Sequence, residues 1–511
     1  MKPPSFDLQR PGRRALEIAT GSVAWLLISS PIWAAFLAPD KLSYFLLIFN
    51  SYWLYKSATT AICAVIGYRR LGAAQETDWL SRCRGVRGWE HMHHLVLIPT
   101  YGEPTEVLES SLWHLAQQDY PAENIWVVLA FEARDPEARA RSAILLHRHE
   151  GQFAGMWATF HQDRPGEVRG KSSNLAYAGR WAKERLVDDQ GFDLQNVLVT
   201  VCDADSRLHA RYLSALTHEF LTDADGRQSI FQPALMFYAN FWRIPPVVRM
   251  MAGLQSVWQL ARLVTPYKLI TQSTYSLSLS TCHGVGYWDP DVIPEDSRMF
   301  FKVLFALRDG VRVRPIFLPV YADAAEGPNW YRTLINQYRQ IRRWAWGVSD
   351  VPYLLWRLVR QTEMPLWRRL SRVALFTEEH ISWPSHWFLL TLGAHAPAFL
   401  APAFTLTPLG QSLSTLAQIA LTLCLPCLAL IMWIDNRLQP PRFEPRPWWR
   451  DVLSVASWAL LPIAGLLLTA IPALEAHTRL LFGRYLQYQV TEKLPGEATL
   501  VPDWSGGAEA A

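Results

Sequence analysis

Long and short apolar runs divide this chain into two kinds of region. A membrane-crossing helix needs about 20 mostly apolar residues. Two such runs open the chain, at residues 18–37 and 42–68, with only residues 38–41 between them, so they read as a tight hairpin. The chain then turns polar from Arg69 to Glu379. Apolar density returns at 386–404, 413–434 and 452–473. The first run starts late and lacks a small-residue cleavage site, so it is not read as a signal peptide.

Within the polar region the apolar runs are short. Residues 94–99 (H-L-V-L-I-P) predict a buried strand ending in a Pro-Thr-Tyr-Gly turn. Val107, Leu108, Leu112 and Leu115 fall on one helical face over 105–117. Residues 125–131 (I-W-V-V-L-A-F) predict a second strand, 137–148 a helix, and 197–201 a third strand running into Cys202-Asp203-Ala204-Asp205. Strands alternating with helices predict an α/β fold, a mainly parallel sheet with helices on both faces. Such sheets bind ligands at the C-terminal ends of their strands.

Composition agrees with a catalytic body joined to membrane spans. Half of the residues are hydrophobic (50%), 18% are charged and Trp numbers 24, which excludes a disordered chain. Six Cys without a pattern exclude a disulfide scaffold. A net charge of +4 over 511 residues gives no support for nucleic-acid binding. Orientation follows the Lys/Arg bias of short loops. Lys2, Arg10, Arg13 and Arg14, then Arg69, Arg70, Arg82, Arg84 and Arg87, then Arg437, Arg442, Arg446 and Arg450 mark three cytoplasmic segments. The polar region is therefore expected in the cytoplasm of a multi-pass protein, in a bacterial inner or plasma membrane. Three spans after it would put the C-terminus outside, yet Arg479, Arg484 and Lys493 follow the last run. Either the tail is external, or Pro462 and Pro472 break that run into a re-entrant hairpin. Lys56 lies within the second run beside Tyr52, Trp53 and Tyr55. That face either packs on other helices or lines a sugar path.

Asp203-Ala204-Asp205 is a D-x-D delivered by an apolar strand. Period-2 spacing can aim both carboxylates at one face. Two hard oxygen anions suit Mg2+ or Mn2+ held jointly with substrate phosphates; a turn cap is the alternative. Asp223-Ala224-Asp225 repeats the pattern but reads as a solvated loop. Gly170-Lys171-Ser172-Ser173-Asn174 opens a helix, either as an ordinary cap or as a phosphate site with Lys171 as point charge. Pro294-Glu295-Asp296 precedes a helix at 297–307 as a cap, or as a base and its neighbour. Gln340, Arg343 and Trp344 share one face of a helix over 331–348, offering an amide, a guanidinium for diphosphate and an indole for stacking. Residues 354–360 and 366–376 mix Trp and Arg with Leu and Val, as helices in a headgroup plane do.

In order, P-T-Y-G-E, G-K-S-S-N, D-A-D, P-E-D and Q-I-R-R-W resemble the membrane-integrated family 2 glycosyltransferases, the cellulose-synthase-like group. The resemblance covers about residues 90–350. It implies a GT-A fold and a nucleotide-sugar donor. Asp203 and Asp205 would hold Mg2+ or Mn2+ on the donor diphosphate. Asp296 would be the general base, with Glu295 beside it. Thr100, Tyr101, Glu103, Glu132, Lys171, Asn174, Gln340 and Arg343 would contact the donor, and Trp344 the acceptor. Thr281-Cys282-His283-Gly284 stands where the family's acceptor-loop cysteine motif is expected, which places His283 with the acceptor. Glu132, with Asp135 after it, replaces the Asp pair of many relatives, and Pro294 replaces the usual Thr. No long gating loop is legible, nor a regulatory domain after the spans.

The resulting division is a cytoplasmic arm (1–17), a transmembrane hairpin (18–68), a GT-A domain (69–348), interfacial amphipathic helices (349–379), a transmembrane region of three apolar segments (380–474) and a tail (475–511). The expected function is inverting transfer from a UDP-sugar to a growing polysaccharide, with the bilayer and an accessory export subunit as partners. The alternatives are single-sugar transfer to a polyprenyl-phosphate or other lipid acceptor, and a non-catalytic nucleotide-sugar sensor.

Overall fold

The computed structural model describes residues 11–308, 311–441, 447–488, 492 and 494. Lys2, Arg10, Arg442, Arg446 and Lys493, used above for orientation, lie outside the described residues.

Eight strands form one sheet in the order β3-β2-β1-β4-β7-β6-β8-β5. They are β1 His93–Thr100, β2 Ile125–Glu132, β3 Gly155–His161, β4 Val197–Val201, β5 Arg207–Leu208, β6 Ile230–Met236, β7 Tyr275–Ser278 and β8 Val313–Tyr321. β7 pairs antiparallel with β4 and β6, and β5 pairs antiparallel with β8; the remaining pairs are parallel. The α/β fold class is as expected. β1, β2 and β4 are apolar along their length because both faces are covered. Leu95 and Leu97 join one core, while Val96 and Ile98 join the other. The helices Lys171–Lys183 and Glu295–Leu307 close the first core with Leu175, Ala178, Phe301 and Phe305. The helices Thr105–Ala116 and Tyr212–Thr222 close the second with Leu108, Leu112, Leu213 and Leu216. Each such Leu or Phe side chain contributes about 1.5–3 kcal/mol on burial.

Among the described residues three helices are long and apolar enough to cross a membrane: Gly12–Leu37, Pro408–Leu438 and Asp451–Leu481. The second expected run is a 38-residue helix, Pro39–Glu76. At about 1.5 Å per residue it is longer than a bilayer core is thick. Its end is domain rather than span: Leu71 and Ala74 are buried in the two cores of the sheet. Residues 386–404 differ from expectation. The helix there begins at Leu366 and runs unbroken to Thr391, through residues expected to lie in the headgroup plane. A one-turn helix at Gly393–His395 and a short helix at Ala396–Leu400 follow. Pro462 and Pro472 do not fold the last run back. Both lie within the continuous helical run Asp451–Leu481, each just after a short 3-10 or π-helical turn.

Lys56 forms an ion pair with Glu378 at 3.0 Å and lies over the Tyr52 and Trp53 rings. Trp53 stacks on His386 at 4.4 Å between centroids. Asp223 of the second D-x-D pairs with Arg314 at the far side of β6 and β8, away from the strand end that carries Asp203.

Candidate active site

β4 ends at Val201 and delivers Asp203 and Asp205 to the C-terminal edge of the sheet. Gly170 adopts φ +131°, a left-handed conformation suited to glycine, and turns the chain into the helix Lys171–Lys183. That turn places the Lys171 ammonium 2.6 Å from Asp203 Oδ1 and 2.7 Å from Glu295 Oε1. Glu295 and Asp296 occupy the first turn of the helix Glu295–Leu307, two residues earlier than the sequence suggests. Burial draws the Lys171 pKa down, but Asp203, Glu295 and Asp296 outweigh it and raise it well above its ordinary value. Burial pushes Asp203 up, and Lys171 more than reverses it, so Asp203 is lowered. Glu295 is buried and pushed up to about 7 by that burial, against the pull of Lys171.

Ser273 joins these groups. Its hydroxyl donates to Asp203 Oδ2 at 2.5 Å. Its N–H donates to Asp296 Oδ2 at 2.9 Å, and its carbonyl accepts from Lys171 Nζ at 3.1 Å. Ser273 has φ +52°, rare for a residue with a side chain. Such a conformation costs about 1–3 kcal/mol and persists where neighbours over-determine it. Here Gln232 does so, bonding Gln272 N–H at 2.8 Å and the Thr274 carbonyl at 3.1 Å. Asp296 also accepts from Ser297 N–H, and its own carbonyl accepts from the Thr271 hydroxyl.

The β1 and β2 ends form an adjoining wall. Glu103 turns back and accepts from the Thr100 hydroxyl at 2.7 Å and Tyr101 N–H at 2.6 Å, so it staples its own turn. Burial pushes Glu103 up to about 7. Glu132 is buried and paired with Arg134 Nε at 2.6 Å. The Arg134 guanidinium lies 3.7 Å over the Tyr101 ring. Asp135 receives Gly102 N–H and pairs with Arg141.

The helix Trp330–Ala345 carries Gln340, Arg343 and Trp344. Gln340 is buried, and Arg343 acts electrostatically on Asp203. Arg343 also lies 5.5 Å over the ring of Tyr488. Tyr488 packs on Gly170: a Cβ added there would stand 2.4 Å from Tyr488 Cγ. A segment from the C-terminal region thus covers this corner of the site, where the sequence offered no covering loop. Tyr485 donates to Glu17 at 2.8 Å, and Glu492 accepts from Asn336 at 3.1 Å along the same path.

Residues 198–434, a little under half of the chain, match the family described as "Glycosyl transferase family group 2". The enzyme class is glycosyltransferase. No curated protein matches the chain. Among solved structures it is similar to the mannosyltransferase PcManGT of Pyrobaculum calidifontis, in complex with GDP-Man and Mn2+. Identity there is 17%, over 75% of this chain and 99% of that one, with a TM-score of 0.41. It is also similar to S. aureus TarS in complex with UDP-GlcNAc, at 13% identity over 69% and 94% of the two chains, with a TM-score of 0.35.

Asn174, His283 and Trp344, also expected at the site, make the following contacts. Asn174 is buried and donates to the Ala130 carbonyl, tying its helix to β2. His283 lies at the opposite end of the sheet. β7 runs antiparallel to β4, from Tyr275 beside Val201 to Ser278 beside Leu198, and so carries the chain away from Asp203. His283 there is exposed and bonds Tyr287 at 3.0 Å. Trp344 packs on Phe237 with 5.6 Å between ring centroids, in a small apolar cluster with Ile244 and Val248. The residues missed from sequence are Ser273 and Tyr488. Ser273 lay in an undistinguished Thr-Gln-Ser-Thr run, and Tyr488 lay far along the chain from any motif.

Asp203 and Asp205 are the carboxylates that would hold a divalent ion. No group of three or more His, Cys, Asp or Glu that could hold a metal occurs among the described residues. Two carboxylates at one strand end still fit Mg2+ or Mn2+, which take one or two carboxylates and complete their shells with substrate phosphates and water. Asp203 gives one oxygen to Lys171 and the other to Ser273, and Asp205 accepts from Asp323 N–H at 3.0 Å. Each Asp203 oxygen retains a further lone pair.

Proposed function

We propose that this glycosyltransferase moves a sugar, with inversion, from a UDP-sugar to a growing polysaccharide on the cytoplasmic side of a membrane. The observation that carries this reading is the convergence of Lys171, Asp203 and Asp296 on Ser273 at the strand ends, with Glu295 paired to Lys171. Asp203 and Asp205 would hold the divalent ion. When bound, that ion neutralises charge on the diphosphate leaving group. Arg343 adds a fixed positive charge from the opposite wall, and the Arg134–Tyr101 stack offers a flat surface beside the nucleotide end of the cleft.

Asp296 is the base. Its carboxylate takes the acceptor hydroxyl proton as the acceptor oxygen bonds to C1, while the bond from C1 to the diphosphate oxygen breaks with its electron pair leaving on phosphate. Glu295 is less suited, because it is buried and paired to Lys171. The two N–H groups on Asp296, from Ser273 and Ser297, fix the carboxylate without using all of its lone pairs.

The helices Gly12–Leu37, Pro408–Leu438 and Asp451–Leu481, with the long helix Pro39–Glu76, support a multi-pass reading. The packing of Tyr488 on Gly170 supports a C-terminal segment on the same side as the catalytic groups. Two crossings after the catalytic domain satisfy that parity, and the external tail considered from sequence does not.

The test is turnover of UDP- and GDP-sugars by the purified full chain with Mg2+ or Mn2+. Asp296→Asn should retain donor affinity while transfer falls by about 10²–10⁴-fold, the usual worth of a general base. Proportional loss of donor affinity and rate would remove Asp296 from that role. Product size separates the acceptors: a single sugar extracts with lipid and a polymer does not. A wild-type chain that turns over no donor would be a binding protein instead.

A further inference from the structure

We infer that Ser273 is a positioning residue that holds the donor-side carboxylate and the acceptor-side base in one fixed relation. This rests on the reading of Asp203 and Asp296 given above. The two carboxylates belong to distant parts of the chain, Asp203 after β4 and Asp296 at the start of the helix Glu295–Leu307. Ser273 touches both through different groups, its hydroxyl on Asp203 Oδ2 and its N–H on Asp296 Oδ2. Its carbonyl meanwhile receives Lys171, the cation shared by Asp203 and Glu295.

The three contacts are made from a left-handed backbone at Ser273. The loop is rigid enough to keep that conformation. Gln232 is buried and bonds Gln272 and Thr274 on either side of Ser273, and Thr274 bonds Ser206 at 3.1 Å. A glycine would adopt the same turn with less strain. The residue present instead carries the one group glycine lacks, a hydroxyl, and that hydroxyl is spent on Asp203.

Two variants separate the hydroxyl from the backbone. Ser273→Gly removes the hydroxyl and relieves the turn, and Ser273→Ala removes the hydroxyl and keeps the strain. The measurements on the purified full chain are transfer kcat, donor KM, thermal midpoint and Mn2+ affinity by electron paramagnetic resonance without donor. The expected result is a fall in kcat of about tenfold in both variants, the worth of roughly one positioning hydrogen bond. Donor KM and the midpoint of Ser273→Gly should stay near wild type, and Mn2+ affinity should shift in both. Wild-type kcat in Ser273→Gly overturns the inference. So does a loss of kcat that tracks a lowered midpoint in Ser273→Gly, which marks a role in folding alone. A wild-type chain that turns over no UDP- or GDP-sugar overturns the functional reading and this inference together, whereas an active wild type with Ser273→Gly at wild-type kcat overturns only the latter.

Discussion

Lys171→Met tests the electrostatics on which the site is built. Lys171 is 9% exposed, Glu295 8% and Asp203 32% by side chain. Removing one partner of a buried pair costs about 3–5 kcal/mol, because the other charge is left buried without compensation. The partial exposure of Asp203 places the expected loss at the lower end, about 3 kcal/mol. At about 2–4 °C per kcal/mol for a domain of this order of size, the thermal midpoint should fall by about 6–12 °C. The loss should depend on pH in one direction. Glu295 sits at about 7 in the folded chain, above its ordinary value of 4.5, so its ionisation penalty grows from about pH 4.5 and is complete above about pH 7. Without Lys171 its folded pKa rises further, and the penalty keeps growing past pH 7 by about 1.4 kcal/mol per pH unit. The deficit against wild type is therefore smallest near pH 6 and larger at pH 8. The assay is thermal unfolding of both full chains in one detergent at pH 6, 7 and 8. An unchanged midpoint at pH 8, or a deficit that narrows as pH rises, would refute the reasoning.

Two further outcomes follow from the walls of the site. Gly170→Ala puts a Cβ 2.4 Å from Tyr488 Cγ, too near the root of that side chain for a rotamer change to relieve, so residues 484–488 should leave the cleft and exchange amide hydrogen faster. Unchanged exchange in a folded variant would contradict the packing. Glu103→Gln removes a buried carboxyl whose folded pKa is raised to about 7, so it should flatten the fall in stability between pH 5 and pH 7. An unaltered pH slope of the thermal midpoint would count against that assignment.

What the sequence determined by itself were the features carried by local pattern. β1, β2 and β4 were legible as apolar runs because a sheet covered on both faces tolerates nothing else there. Asp203 and Asp205 were legible because β4 ends in them, and the helices Thr105–Ala116 and Trp330–Ala345 because their apolar positions recur at helical spacing. β6 and β8 were hidden by Pro233, Pro315 and Pro319 and by Gln232, which break the strand pattern; β6 carries a register shift at Pro233/Ala234. Tertiary structure alone decided the rest. Glu295 proved to be the partner of a buried lysine, Asn174 a tether and His283 a residue at the wrong end of the sheet, because direction and distance across a sheet depend on which strands pair. Ser273 and Tyr488 entered the site for the same reason. Their contacts, with Asp203 and with Gly170, span stretches of chain that no local pattern records, and only the closed fold brings those stretches together.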